Sequence, residues 1–269
     1  MTESKSPEWW PALLDDIQAE HSDLDTVVSQ ADEAAWLAAT PAEGWDVRDC
    51  IGHLAYFDWA ARLAIQEPDE FEAHVNEALA GTFNPVDEHL ERSRSMPARE
   101  VLSWWREERA ALLGTLRILD PGERIAWYGP SMGARSFVTA RLMETWAHGQ
   151  DVCDALGATR VPTVRLRHIA DLGFRTRGFS YVVRGREAPA TAVRVELVGP
   201  GGEDWSWGDE GAANLVSGPA LDFCLTVTQR INVADTMLIV KGDEATEWMG
   251  IAQAFAGPPG PGRPPKRAA

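Results

Sequence analysis

The sequence predicts an α+β protein, with a four-helix bundle over residues 1–157 and a smaller α+β domain over residues 158–256. Three observations predict it. Apolar residues recur at steps of three and four through the first 157 residues, with proline and glycine where those runs stop. Past Gly157 the period shortens to two, at Ala192 to Val198. The closing GPPGPGRPPKRAA, residues 257–269, is too rich in proline and glycine for regular structure and reads as an extended tail.

Pro7 suits the opening turn of a first helix, whose inward seam is Leu14, Ile17, His21, Leu24 and Val28. His21 on that seam is either a core histidine or part of a pocket wall. After a short helical turn at Asp32 to Leu37, Asp46 reads as an N-cap with Asp49 at the third helical position. The second helix runs from about Val47 to Ile65, with Leu54, Phe57 and Ala61 as its apolar stripe and His53 beside them. It stops at Glu67-Pro68, because the residue before proline avoids helical geometry. Residues 69–96 read as a connection, with a turn at Gly81 and an acidic stretch from Pro85 to Arg94. Pro97 opens the third long helix, which points Val101, Trp105, Leu112, Leu116 and Leu119 inward and ends at Asp120-Pro121-Gly122. The loop AWYGPSMGARSF leads to the fourth, from about Val138 to Leu156, and Gly157 supplies the left-handed residue past its end. Four helices so spaced make a bundle.

In the second domain, Val164 to Tyr181 returns to helical periodicity interspersed with arginines. The strand Ala192 to Val198 turns at Gly199 to Gly202 into a partner strand, EDWSWGD. Ala212 to Val216 offers a third strand, Pro219 to Gln229 a helix, and Met237 to Val240 a last strand.

Composition narrows the function. A formal net charge of −16 repels phosphate backbones and excludes nucleic acid as a partner. No apolar run approaches the ~20 residues of a membrane span, and the N-terminus lacks the basic start and apolar core of a secretion signal. Cys50, Cys153 and Cys224 are odd in number and far apart, so they form neither a disulfide framework nor a metal knuckle. Reduced thiols and a cytoplasmic location are expected. The 12 tryptophans read as core packing and bundle edges, or as the lining of an aromatic pocket. No feature specifies an oligomeric state.

Glu144 and His148 lie four residues apart, on one face of the fourth helix. Imidazole with carboxylate suits zinc or another divalent transition metal, although the spacing alone recurs on many solvated helices. Here the stripe Arg141, Glu144, His148, Asp151 runs among Leu142, Met143, Trp146, Val152 and Leu156, which leaves little room for a solvent face. A buried Glu–His pair needs a compensating charge or a metal. His53, on another bundle helix, completes a set of three ligands and leaves a coordination position open. Asp151, one turn past His148, is an acceptor for a ligand histidine, a salt-bridge carboxylate or a fourth ligand. The arginines at 160, 165, 167, 175, 177, 184 and 186 read as a solvated basic stretch, or as a funnel for a carboxylate-bearing substrate.

GWDVRDCIGHLAYFDWAA and TARLMETWAHGQDVCDALG together resemble the DinB-like helical bundle of the mycothiol-dependent maleylpyruvate isomerases, over roughly residues 8–157. GPSMGARSFVTARLMETWAHGQDV and IAQAFAGPPGPGR are similar to an actinobacterial subfamily of it. The resemblance implies a divalent metal, usually zinc, on His53, Glu144 and His148, with mycothiol as thiol cosubstrate. It also implies a second, α+β domain with a substrate-facing arginine, which maps to Arg230 in LDFCLTVTQRINVADTMLIVKGD. The family approaches that arginine through tryptophan and glycine, whereas this chain has Thr226, Thr228 and Gln229. Read from the residues alone, Arg230 is equally an arginine meeting a helix dipole.

The expectation is a metal-dependent enzyme that activates a low-molecular-weight thiol for isomerisation or S-transfer on a small, anionic electrophile, with Arg230 and Asp151 as its candidate catalytic residues. The alternatives are a thiol-independent metal enzyme (a hydrolase, cyclase or isomerase) and a non-catalytic, metal-stabilised ligand-binding module.

Overall fold

A computed structural model describes residues 7–266 of the chain. The fold is α+β, in two compact units, Met1–Arg160 and Val161–Ala269. In the first, the long helices α1 (Trp9–Val28), α2 (Val47–Gln66), α5 (Ala98–Ile118) and α6 (Ala134–Leu156) pack as a bundle. The seam of α1 is buried, as are Leu54 of α2, Trp105 and Leu112 of α5, and Leu142 of α6. Burying those side chains is what holds the helices together, since each large apolar residue removed from water contributes ~1.5–3 kcal/mol.

The helix ends follow local chemistry. Asp46 Oδ1 accepts from the Asp49 backbone N–H at 2.9 Å while Asp49 Oδ2 accepts from the Asp46 N–H at 3.1 Å, so each satisfies the other's exposed donor. Gly157 closes α6 in the left-handed region at φ +63°. The loop before α6 contains a two-residue hairpin, β1 (Arg124–Ile125) against β2 (Met132–Gly133), and α6 begins four residues earlier than its apolar pattern suggests.

Residues 69–96 depart from the sequence reading. They form two helices, α3 (Pro68–Leu79) and α4 (Pro85–Arg94), both packed on α2. Pro68 and Pro85 begin them, and the Asn84 side chain caps α4 by accepting from the Val86 N–H at 2.9 Å. Apolar periodicity misses them because α3 buries only Phe71, and the buried residues of α4 are the polar His89 and Ser93.

The second unit opens with α7 (Leu166–Arg175) and α8 (Arg177–Val182) and continues into a sheet of β3 (Val193–Val198), β4 (Asp204–Trp207), β5 (Asn214–Pro219) and β6 (Ile239–Lys241). The strand order is β4-β3-β5-β6; β3 and β5 run parallel and the other neighbours antiparallel. Val193, Val195 and Leu197 of β3 turn inward at alternate positions. Helix α9 (Ala220–Val227) follows β5, and α10 (Asp243–Ile251), which the apolar pattern does not mark, follows β6. The Asn214 side chain on β5 accepts from the Glu244 and Ala245 N–H groups and so caps α10 from across the sheet. Of the tail, residues 257–266 have no regular structure but are tied down. Arg184 donates to Gly260 O, Asn232 to Arg263 O, and the Lys266 N–H to Asp235. Its last three residues lie outside the described part. Among the described residues no helix is long and apolar enough to cross a membrane, and Cys50, Cys153 and Cys224 are buried free thiols.

Candidate metal centre

Helices α2 and α6 place His53, Glu144 and His148 together. His53 Nε2 lies 3.6 Å and His148 Nε2 3.5 Å from the same oxygen, Glu144 Oε2. The three side chains keep 11 to 20% of their surface, so the cluster sits at an accessible edge of the bundle. Trp45, on the loop before α2, stacks on the His148 ring at 5.5 Å and 16°, and Phe57 packs against His53 at 4.6 Å. Thr40 fixes that loop, since both its N–H and its hydroxyl donate to Trp45 O.

The electrostatics suit a cation. Burial draws the His53 imidazole down to about 4, with the His148 charge adding to that pull and Glu144 opposing it. A neutral ring keeps a lone pair to donate. Burial alone would raise the Glu144 carboxyl, but hydrogen bonds from His148 and His53 outweigh it and hold Glu144 well below the usual carboxylate range. An ionised carboxylate between two imidazole nitrogens is short of one positive charge. Two nitrogens and an oxygen are a donor set for a divalent transition metal, and three protein donors leave a further position for a small ligand.

The second nitrogen of each ring also has a neighbour. His148 Nδ1 lies 3.5 Å from Asp151 Oδ2, and the Asp151 side chain is fully buried. His53 Nδ1 lies 3.3 Å from Nε2 of His89, also fully buried. Cys50, His148 and Asp151 form a second group whose ligand atoms approach within 4.8 Å. It is wholly buried, whereas the Glu144 group is open to a ligand.

Sequence reasoning did not find His89 or Trp45. The signal for α4 was Asn84-Pro85, an N-cap followed by proline at the first helical position. Nor did it find the adjoining polar cluster, in which Tyr56 donates to Glu88 at 2.7 Å and His74 Nε2 meets Tyr128 Oη at 2.8 Å. A cavity of about 550 Å³ beside it is lined by His74, Phe83 and four carboxylates, those of Glu77, Asp87, Glu88 and Glu91.

The other candidates are held by partners of their own. His21 is a core histidine, 2% exposed, edge-on to Trp105 and 4.0 Å from Asp58. Arg141 pairs with Asp58 through two bonds to Oδ1, at 3.2 and 2.9 Å. Arg230 belongs to the second unit, half-buried just after α9, where its guanidinium donates to Thr228 O at 2.6 Å. In the basic stretch, Arg160 pairs with Glu20, Arg175 with Asp171 and Arg186 with Glu247.

The family model of the mycothiol maleylpyruvate isomerase N-terminal domain matches residues 17–153. An uncharacterised protein in two strains of Mycobacterium tuberculosis is 44% identical over 248 residues, covering 92% of this chain and 96% of the relative. Among solved structures, the mycothiol-dependent maleylpyruvate isomerase superposes with a TM-score of 0.56 at 17% identity, over 82% of this chain and 89% of that one. A histidine mutant of the same enzyme superposes with a TM-score of 0.55.

Proposed function

The chain belongs to the mycothiol maleylpyruvate isomerase N-terminal domain family, and we propose that it is a divalent-metal-dependent enzyme that activates a low-molecular-weight thiol. In this reading His53, Glu144 and His148 hold the metal, zinc by the chemistry of the donors, and mycothiol is the thiol. The reaction is isomerisation or S-transfer on a small, anionic electrophile. One observation carries the metal assignment: two imidazole Nε2 atoms converge on one carboxylate oxygen. A divalent ion bound there lowers the pKa of a thiol it meets, so that the nucleophilic thiolate exists at neutral pH.

The residues divide the remaining work. Glu144 brings a single negative charge to two neutral rings, so the loaded site stays positive overall and attracts an anionic sulfur. Asp151, against His148 Nδ1, holds that ring in the tautomer that offers Nε2. Trp45 and Phe57 wall the site and thin the water around it. Arg230 has the donors to receive a substrate carboxylate through charge-assisted bonds.

Metal analysis of the purified protein and of His53→Ala and His148→Ala tests the ligand set. The wild type should carry about one zinc and both variants should lose it, as expected of a site with three protein donors. Full occupancy in both variants overturns the assignment. Thermal shifts with zinc, mycothiol and both then test the thiol. Ligand binding stabilises the native state, and a thiol at 100 times its Kd adds about 2.7 kcal/mol. That rise should appear only with zinc present; a zinc-loaded protein unmoved by mycothiol overturns the thiol reading.

A further inference from the structure

A histidine that gives its Nε2 lone pair to a cation must carry its proton on Nδ1, and something must accept that proton. His148 has Asp151 for this. For His53 the neighbour is a second imidazole, His89 Nε2 at 3.3 Å. We propose that His89 is a positioning residue in the metal-loaded protein: its Nε2 accepts a hydrogen bond from His53 Nδ1–H and so leaves the His53 Nε2 lone pair for the ion. The inference rests on the metal reading above and assigns a role within it.

The surroundings of His89 fit this task. The His89 ring is fully buried, with its Nε2 facing His53 Nδ1. Its Nδ1 meets no acceptor among the described residues, which leaves the bond to His53 as the polar contact that orients the ring. Trp45 stands edge-on to it at 5.1 Å and closes it off from water.

The backbone is arranged to bring His89 this near. At Gly52, directly before His53, an added Cβ would fall 2.5 Å from the Ser93 Cβ, so α4 approaches α2 more closely than any side chain at 52 permits. Around that contact Arg94 grips Asp49 with bonds of 3.0 and 2.7 Å, and Tyr56 donates to Glu88. Asp49, Gly52, His53 and Tyr56 share one face of α2, and α4 supplies a partner to each. A helix whose buried side is polar contributes little to a core. It is well suited to fixing the ring it touches.

Zinc titration against a chromophoric chelator, with His89→Leu, His89→Gln and Gly52→Ala beside the wild type, tests this. His89→Leu removes the acceptor and should weaken zinc binding roughly 10–100-fold. Gln at 89 restores an amide oxygen that can accept from Nδ1–H, and its Kd should stay within about threefold of wild type. Gly52→Ala leaves every ligand in place but moves α4 away, and should weaken binding about tenfold through the same loss. Circular dichroism of the zinc-free variants separates unfolding from loss of orientation. Independently of any variant, 15N spectra of the zinc-loaded wild type should show the His53 proton on Nδ1. Folded His89→Leu with wild-type affinity, or a His53 proton on Nε2 in the loaded protein, overturns the inference alone. A wild type that takes up no zinc overturns the metal reading, and this inference with it.

Discussion

Three histidines of the bundle are held far below their ordinary value of 6.5 by burial: His21 to about 3, His53 to about 4 and His89 to about 2. In the metal-free protein the folded state keeps them neutral while the unfolded chain protonates them as pH falls below 6.5. The stability linked to them is therefore complete above pH 6.5 and is lost as the pH drops toward 4. Each contributes a slope of up to about 1.4 kcal/mol per pH unit in that window. His21 can be tested without touching the proposed ligands, because both its ring nitrogens lack hydrogen-bond partners among the described residues. His21→Leu should leave stability at pH 7 unchanged or higher and flatten the pH 5–6 slope by about one proton, read from urea unfolding at a series of pH values. An unaltered slope would mean that His21 is protonated in the fold. The pairing of Glu144 with His148 was legible from four-residue spacing, because helical neighbours are a local property. The partners of the ligand rings were not equally legible. Asp151 shares a helix with His148, whereas His89 reaches His53 only through the packing of two helices.

Helices α2 and α6, which carry the proposed ligands, are joined one turn away by Asp58 and Arg141, with side-chain exposures of 0% and 4%. Burial pushes the Asp58 carboxyl up, and Arg141 pulls it back. An ion pair so dry adds little net stability, but removing one partner strands the other. Arg141→Met should cost about 3–5 kcal/mol, whereas combining it with Asp58→Leu should recover most of that. Urea unfolding of the two singles and the double measures the coupling, and a single variant costing under about 1 kcal/mol would contradict the pairing. Because the pair joins α2 to α6, the Arg141 single should also weaken zinc binding at the proposed metal site. Legibility at this scale followed the apolar stripe. The four long helices announce themselves through buried Leu, Ile, Val and Trp at steps of three and four. Helix α4 escapes because its inward residues are polar, and α3 because it has one anchor.

At the scale of the whole chain, each unit has its own core: one around Ile17, Leu54 and Trp105, the other around Val216, Phe223 and Trp248. Strand β3 was legible because its alternation is local. Helix α10 was not, since its first N–H groups are capped by Asn214, on a strand roughly thirty residues earlier. The proposed role of Arg230 belongs to the second unit. Arg230→Ala should leave zinc content intact and lower kcat/KM for a carboxylate substrate roughly 10–100-fold, the worth of a charge-assisted hydrogen bond. The uncharged ester of that substrate serves as the control. Equal losses for acid and ester, or none for either, would remove Arg230 from the chemistry and leave it as the cap of α9.

The contact at Gly52 also sets an order in which the chain can change. Alanine at 52 collides with the Ser93 Cβ, but glycine at 93 would remove both Ser93 atoms within 3.0 Å and leave its Cα at an ordinary 3.8 Å. Ser93→Gly therefore opens the way to Gly52→Ala, while the reverse order passes through a pried-apart helix pair. The two positions form an ordered gate for mutational drift. A lineage that crosses it through glycine at 93 keeps α4 against His53.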